Sequence, residues 1–65
     1  MHALVTNGIL PFHCTVQVRE DGKWADVAKG SSVEWLTRVA GEEAVMFGAA
    51  RVVSQFGSVL QHFGH

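Results

Sequence analysis

The sequence is short of the covalent devices that usually stabilise a small protein. Its 65 residues include one cysteine, Cys14, which excludes a disulfide within one copy of the chain. A domain of this size buries only about 60% of the surface that its unfolded chain exposes. Small domains commonly add disulfides, a metal or a partner subunit to a thin core. We therefore expect metal binding or self-association to stabilise this protein, unless its packing is unusually good.

Charge of either sign is also scarce. Five Lys and Arg residues stand against six Asp and Glu residues, which gives a formal net charge of −1 at pH 7. The cations are dispersed along the chain, whereas phosphate binding requires a basic surface. The composition therefore argues against a nucleic-acid partner, although a dimer would bring Arg19, Lys23 and Lys29 of two copies onto one surface.

Long apolar runs are missing. The longest weakly polar stretch, residues 44–60, is interrupted by Arg51, Ser54 and Gln55, and it is shorter than the roughly 20 apolar residues of a membrane-spanning helix. The first eight residues lack the basic and apolar regions of a secretory signal. A lone thiol suits a reducing compartment. We expect a cytoplasmic protein without a membrane segment, in the host cytoplasm if the protein is viral.

The first half of the chain contains two strong turn signals, Asn7-Gly8 and Asp21-Gly22. Both dipeptides favour the two-residue turns of β-hairpins. A two-residue loop at Asp21-Gly22 sorts the flanking residues by type, with opposite charges beside the turn and apolar residues on one face. The predicted pairs are Glu20 with Lys23, Arg19 with Trp24, Val18 with Ala25, Gln17 with Asp26, and Val16 with Val27. Arg19 opposite Trp24 is the geometry of a cation–π contact.

Alternation extends this strand backwards to residue 9, so we predict one long strand over residues 9–20 that both hairpins share. Pro11 cannot donate a ladder hydrogen bond and is expected at an edge or bulge. Residues 1–30 thus predict a three-stranded antiparallel β-meander with one apolar face.

Helical signals follow Gly30. Ser31 can act as a helix N-cap, and Glu34 stands three residues later, as a capping box requires. We predict a short helix that ends near Gly41, then a longer amphipathic helix over residues 42–56. Apolar residues at alternating steps of four and three form a heptad seam suited to self-association. The seam comprises Val45, Ala49, Val52, Phe56, Val59 and Phe63.

A second interpretation of this region stays open. Val-Phe-Gly punctuation and β-branched residues are also typical of short strands separated by glycines. The seven-residue spacing favours the helix, and this preference weakens beyond Gly57. The fold class predicted for the single domain, residues 1–65, is therefore α+β, with the meander in residues 1–30 followed by two helices in residues 31–65.

Trp24 is the leading candidate for a binding residue. It falls on the polar face of the predicted sheet, opposite Arg19 and near Gln17 and Thr15. Tryptophan and arginine are enriched among the residues that dominate protein interfaces. We predict a partner-binding surface that consists of Trp24, Arg19, Gln17 and Thr15. The alternative is a purely structural role, in which Arg19 and a loop shield the Trp24 indole from solvent.

The histidines form the one constellation that resembles a metal site. His62 and His65 share a helix face if the helix reaches them, and His13 adjoins Cys14. Neighbouring strand residues point to opposite faces, which separates His13 from Cys14 and weakens both a shared metal and a Cys–His nucleophile. We expect no resident cofactor, and His62, His65 and His13 are the candidates if a metal binds.

No catalytic motif is present, so we predict a protein that is not an enzyme. A tiny, near-neutral chain of this kind is typical of viral or mobile-element inhibitors and of small regulatory adaptors. The expected function is binding of another protein, as a homo-oligomer. The alternatives are a dimeric DNA-binding regulator of the antitoxin type and a small metal-binding protein.

Overall fold

The computed structural model describes residues 8–64. These residues form strand β1 (Ile9–Glu20), strand β2 (Lys23–Ser32), helix α1 (Val33–Phe47), strand β3 (Ala49–Ser54) and strand β4 (Val59–Gly64). The strands form one antiparallel sheet in the order β2-β1-β3-β4. No helix within residues 8–64 is long and apolar enough to cross a membrane.

The predicted architecture is wrong, although the chain does mix helix and sheet. The structure has four strands and one helix, not a three-stranded meander followed by two helices. The first strand of the predicted meander, residues 3–6, lies outside the described residues. The two additional strands, β3 and β4, come from the segment that was predicted to be helical.

The hairpin between β1 and β2 is confirmed, including most of its register. β1 has the predicted bounds, and the four pairs next to the turn are as predicted, from Glu20 with Lys23 to Gln17 with Asp26. The fifth pair is wrong because a β-bulge shifts the register, so that Val16 faces Ala28 and not Val27. Val27, at the bulge, lies on the edge strand and is 44% exposed.

Helix α1 begins one residue later and ends six residues later than its sequence signals suggest. Ser32, not Ser31, caps it, since the Ser32 hydroxyl accepts a hydrogen bond from the Trp35 backbone N–H at 3.3 Å. The helix continues through Gly41 because Ala40 buries its side chain against the sheet. It ends at Gly48, whose left-handed φ of 88° closes the last turn.

The predicted helix over residues 42–56 is wrong beyond Phe47. Residues 50–54 alternate between buried and partly buried positions and pair with β1, which satisfies their backbone groups and favours β-branched side chains. The turn that follows contains Gly57, with φ of 92°. The alternative of short strands separated by glycines therefore describes this region correctly.

The core lies between α1 and the two central strands, β1 and β3. Its largest fully buried side chain is that of Leu36, which packs among small residues from both layers. The cluster consists of Cys14, Val16, Val18, Leu36, Ala40, Ala50 and Val52. Burial of Cys14 on the apolar face agrees with its predicted position on that face.

Candidate functional site

The face of the sheet opposite α1 carries polar and aromatic side chains from all four strands. Alternation along β1 places Thr15, Gln17 and Arg19 on this face, because Cys14, Val16 and Val18 are buried under the helix. Cross-strand pairing adds further residues to the same face. These are Trp24, Asp26 and Lys29 from β2, Arg51 and Val53 from β3, and His62 from β4. We call this surface the outer face.

Trp24 lies at the centre of a cationic cluster on the outer face. The guanidinium carbon of Arg51 is 4.1 Å from the centre of the indole ring, and that of Arg19 is 5.6 Å away. The His62 ring meets the indole edge-on, with centroids 6.1 Å apart. The contact between Arg19 and Trp24 confirms the cation–π geometry expected from the hairpin register.

A chain of hydrogen bonds joins side chains of three strands on the outer face. The Nε of Arg51 donates to the Oε1 of Gln17 at 2.8 Å, and the Nε2 of Gln17 donates to the Oδ1 of Asp26 at 2.8 Å. Gln17 thus uses both ends of its amide, and this orients it between its two neighbours. The result is that Arg51 is held both by its hydrogen bond to Gln17 and by its contact with the Trp24 ring.

The four residues predicted to bind a partner lie on this face together. Thr15 occupies the row next to Gln17, where it pairs with Lys29 on one side and Val53 on the other. Trp24 and Thr15 are partly buried and Arg19 is exposed. The predicted partner surface did not include Arg51 or His62, because both lie in the segment predicted to be helical; His62 was predicted only as a candidate metal ligand. Polar and apolar residues alternate around Arg51 and around His62, which is typical of strands. Under the alternative of short strands separated by glycines, this alternation could have placed both residues on one face of the sheet.

The histidine candidates are dispersed in the structure. His13 is exposed near the start of β1, with its Nδ1 3.3 Å from the Ser31 hydroxyl, whereas His62 contacts Trp24 on β4. His65 lies outside the described residues. Among residues 8–64 no three His, Cys, Asp or Glu side chains lie close enough together to hold a metal ion. His13 and Cys14 face opposite sides of the sheet, as the alternation predicts.

Cys14 has the properties of a core residue. Its side chain is buried under α1, and desolvation by this burial raises the pKa of the Cys14 thiol. A raised pKa keeps the thiol protonated at neutral pH and lowers its reactivity. The structure therefore gives Cys14 a packing role.

The predicted heptad seam does not exist as one surface. Val45 is exposed near the end of α1, Ala49 and Val52 are buried in β3, and Phe56 is exposed in the β3–β4 turn. Val59 and Phe63 lie in β4. The seven-residue spacing had placed all six residues on one helix face, and the change to strands at Gly48 separates them.

A small apolar cavity lies between α1 and the β3–β4 half of the sheet. Its volume is about 130 Å³, well below the roughly 300–1,000 Å³ of typical small-molecule sites. It is lined by Leu10, Val33, Leu36, Val52, Leu60 and Gln61. This cavity is therefore too small for a typical small-molecule ligand.

Comparison of the chain with known protein families, with curated proteins and with solved structures gives no match.

Proposed function

We propose that this protein is a small non-enzymatic interaction module that binds another protein through the outer face of its sheet. Such a module would act as an inhibitor or regulatory adaptor of the viral or mobile-element type, in the cytoplasm. One observation carries the proposal: a tryptophan flanked by two arginines lies on the face that the helix leaves uncovered. Tryptophan and arginine are the residues most enriched among interface hot spots.

The ordered position of the Arg51 side chain also supports the proposal that this face binds a partner. Gln17 and Trp24 hold the Arg51 side chain in place before any partner arrives. Binding then loses less side-chain entropy, which otherwise costs about 0.5–1.5 kcal/mol for each immobilised long side chain. Pre-ordered side chains around a large aromatic residue are what a recognition surface requires.

Substitution of the two tryptophans separates this proposal from non-specific adhesion. The immobilised protein is used to capture a partner, and the affinity of the purified partner is then measured for each variant. Trp24→Ala is expected to weaken binding by about 30-fold or more, which corresponds to a hot spot of at least 2 kcal/mol. Trp35→Ala, which removes the other tryptophan from the helix side, is the matched control and is expected to retain binding.

Both variants must keep the circular dichroism spectrum of the native protein. Unchanged affinity for Trp24→Ala, in a folded variant, would exclude the outer face as the binding surface.

We also propose that two copies of the chain pair through the β4 edge. The β2 edge carries Lys23, Asp26 and Lys29 and is bulged, and charges and bulges are the usual protection against strand pairing. The β4 strand, Val59–Gly64, has no charged residue and exposes Val59 and Leu60. Antiparallel pairing of β4 with its own copy is two-fold symmetric and leaves both outer faces on one side of a continuous sheet.

Native mass spectrometry without chelator tests this assembly and detects any bound metal. The expected mass is twice 7.1 kDa. Leu60→Lys, a charge on the β4 edge, is expected to give the monomer, whereas Val27→Lys on the β2 edge is expected to leave the dimer intact. A monomeric native protein, or dissociation by Val27→Lys alone, would contradict the β4 interface.

Nucleic-acid binding by the same face is the second candidate function. The fold gathers Arg19, Lys29 and Arg51 on one surface, which the dispersed cations of the sequence did not indicate. Such binding would weaken steeply as salt is raised, because counterions are released when phosphates are neutralised. A titration of single-stranded oligothymidylate at two salt concentrations tests it.

A further inference from the structure

We propose that the Arg51–Trp24–Arg19 cluster is a carboxylate-binding site, so that the partner presents an acidic segment to the outer face. This inference rests on the proposed function and specifies the chemistry of its partner. It starts from the arrangement of the two guanidinium groups about one indole ring, at 4.1 Å and 5.6 Å from the ring centre.

Two contacts hold the Arg51 guanidinium group in place. Within residues 8–64 its one side-chain hydrogen bond is from Nε to Gln17, and its guanidinium carbon lies 4.1 Å from the centre of the Trp24 ring. The terminal Nη groups are thus left to bind an external acceptor. A planar guanidinium with two such donors matches a carboxylate in bidentate geometry, which is a strong form of hydrogen bonding.

Charge is distributed across the molecule in a way that favours this partner. The outer face carries Arg19, Lys29 and Arg51 against Asp26, whereas the exposed and partly exposed positions of α1 carry Glu34, Glu42 and Glu43 against Arg38. The formal sums are +2 for the first set and −2 for the second. The near-neutral chain therefore has a basic sheet face and an acidic helix face. An acidic segment is attracted to the first and repelled by the second.

The same geometry disfavours single-stranded nucleic acid. Sequence-tolerant binding of single strands uses aromatic side chains on which bases stack. Here the Arg51 guanidinium already lies against Trp24 and His62 meets the ring edge-on. The three cations of this face are also few compared with the 6–10 phosphate contacts of strong electrostatic binders. Two arginine side chains beside an indole ring that is already in contact with Arg51 suit the binding of carboxylates better than the binding of a nucleic-acid strand.

A labelled oligoglutamate peptide at low ionic strength is the probe, and fluorescence anisotropy is the measurement. The native protein is expected to bind it. Arg51→Lys keeps the charge but removes the bidentate fork, and it is expected to weaken binding by about tenfold, in line with the loss of one charge-assisted hydrogen bond. Arg51→Gln is expected to weaken it further.

Arg38→Gln is the matched control, because it makes the same change in net charge on the helix side of the molecule. It is expected to leave peptide affinity unchanged. Equal losses for Arg51→Gln and Arg38→Gln would mean that only net charge matters and would overturn the proposal. So would the absence of peptide binding, or tighter binding of oligothymidylate than of oligoglutamate.

These outcomes are distinguishable from failure of the proposed function. If Trp24→Ala abolishes capture of a protein partner but oligoglutamate does not bind, the outer face remains the binding surface and the carboxylate assignment fails. If oligoglutamate binds through Arg51 but Trp24→Ala leaves partner affinity unchanged, the carboxylate site stands and the protein partner binds elsewhere.

Discussion

Single residues of this protein take their chemistry from the side of the sheet on which they lie. Gln17 and Cys14 belong to the same strand, three residues apart. Gln17 faces outward and joins Arg51 to Asp26, whereas Cys14 faces α1 and is 1% exposed. Desolvation raises the pKa of the Cys14 thiol, so its ionisation is coupled to unfolding.

The coupling predicts how stability depends on pH. Between the ordinary thiol pKa of about 8.5 and the higher folded-state pKa, the unfolded chain loses a proton that the folded protein keeps. The free energy of unfolding is therefore expected to have no Cys14 contribution to its pH dependence at neutral pH and to fall above about pH 8.5. Urea denaturation across this range, compared with Cys14→Ala, isolates the effect. Identical pH slopes for the two proteins would contradict it.

Helix α1 ends where both the backbone conformation and the tertiary packing allow it to end. Gly41 and Gly48 look alike in the sequence, but Gly41 lies inside α1 and Gly48 closes it. A Cβ added at Gly41 would have no heavy atom within 4 Å, apart from its chain neighbours and the nearby backbone of its own helix. Gly48 adopts a φ of 88°, and its N–H donates to the Ala44 carbonyl at 2.8 Å. The two glycines should therefore respond oppositely to the same substitution.

Gly41→Ala is expected to stabilise the protein by up to about 1 kcal/mol, because alanine is the better helix former. Gly48→Ala is expected to destabilise it by about 1–2 kcal/mol, since a side chain disfavours the left-handed conformation. Urea midpoints of the two variants provide the comparison. A neutral Gly48→Ala would show that the helix can end without this cap.

The whole molecule depends on a thin core. Eight apolar residues are buried within residues 8–64, and Leu36 is the largest of them that is fully buried. A single core in a domain of this length rarely contributes more than about 3–5 kcal/mol. At the same time Val45, Met46, Phe56, Val59 and Leu60 remain exposed. A thin core beside exposed apolar surface is what favours association with a second copy.

Leu36→Ala is expected to leave the protein largely unfolded at 25 °C. The substitution removes the central core side chain and costs about 2–5 kcal/mol, comparable to the whole stability of a small domain. Circular dichroism during urea titration measures the loss. Val45→Ala, at a position 86% exposed, is the control and is expected to change stability by less than about 0.5 kcal/mol. A native-like urea midpoint for Leu36→Ala would contradict this account of the core.

Local chemistry was sufficient to predict the β1–β2 hairpin. Asp21-Gly22 set the turn, and the residues around it agree in one register, so Arg19 and Trp24 could be paired from the sequence.

The second half of the chain could not be predicted in this way. Val52, Val59 and their neighbours satisfy both a heptad and a pair of short strands, and local periodicity does not choose between them. Pairing of β3 with the open side of β1 decides the question, because it satisfies the backbone of residues 49–54 and buries Ala50 and Val52. That long-range pairing also brings Arg51 and His62 to Trp24, and so the candidate site was half visible in the sequence and was completed only by the fold.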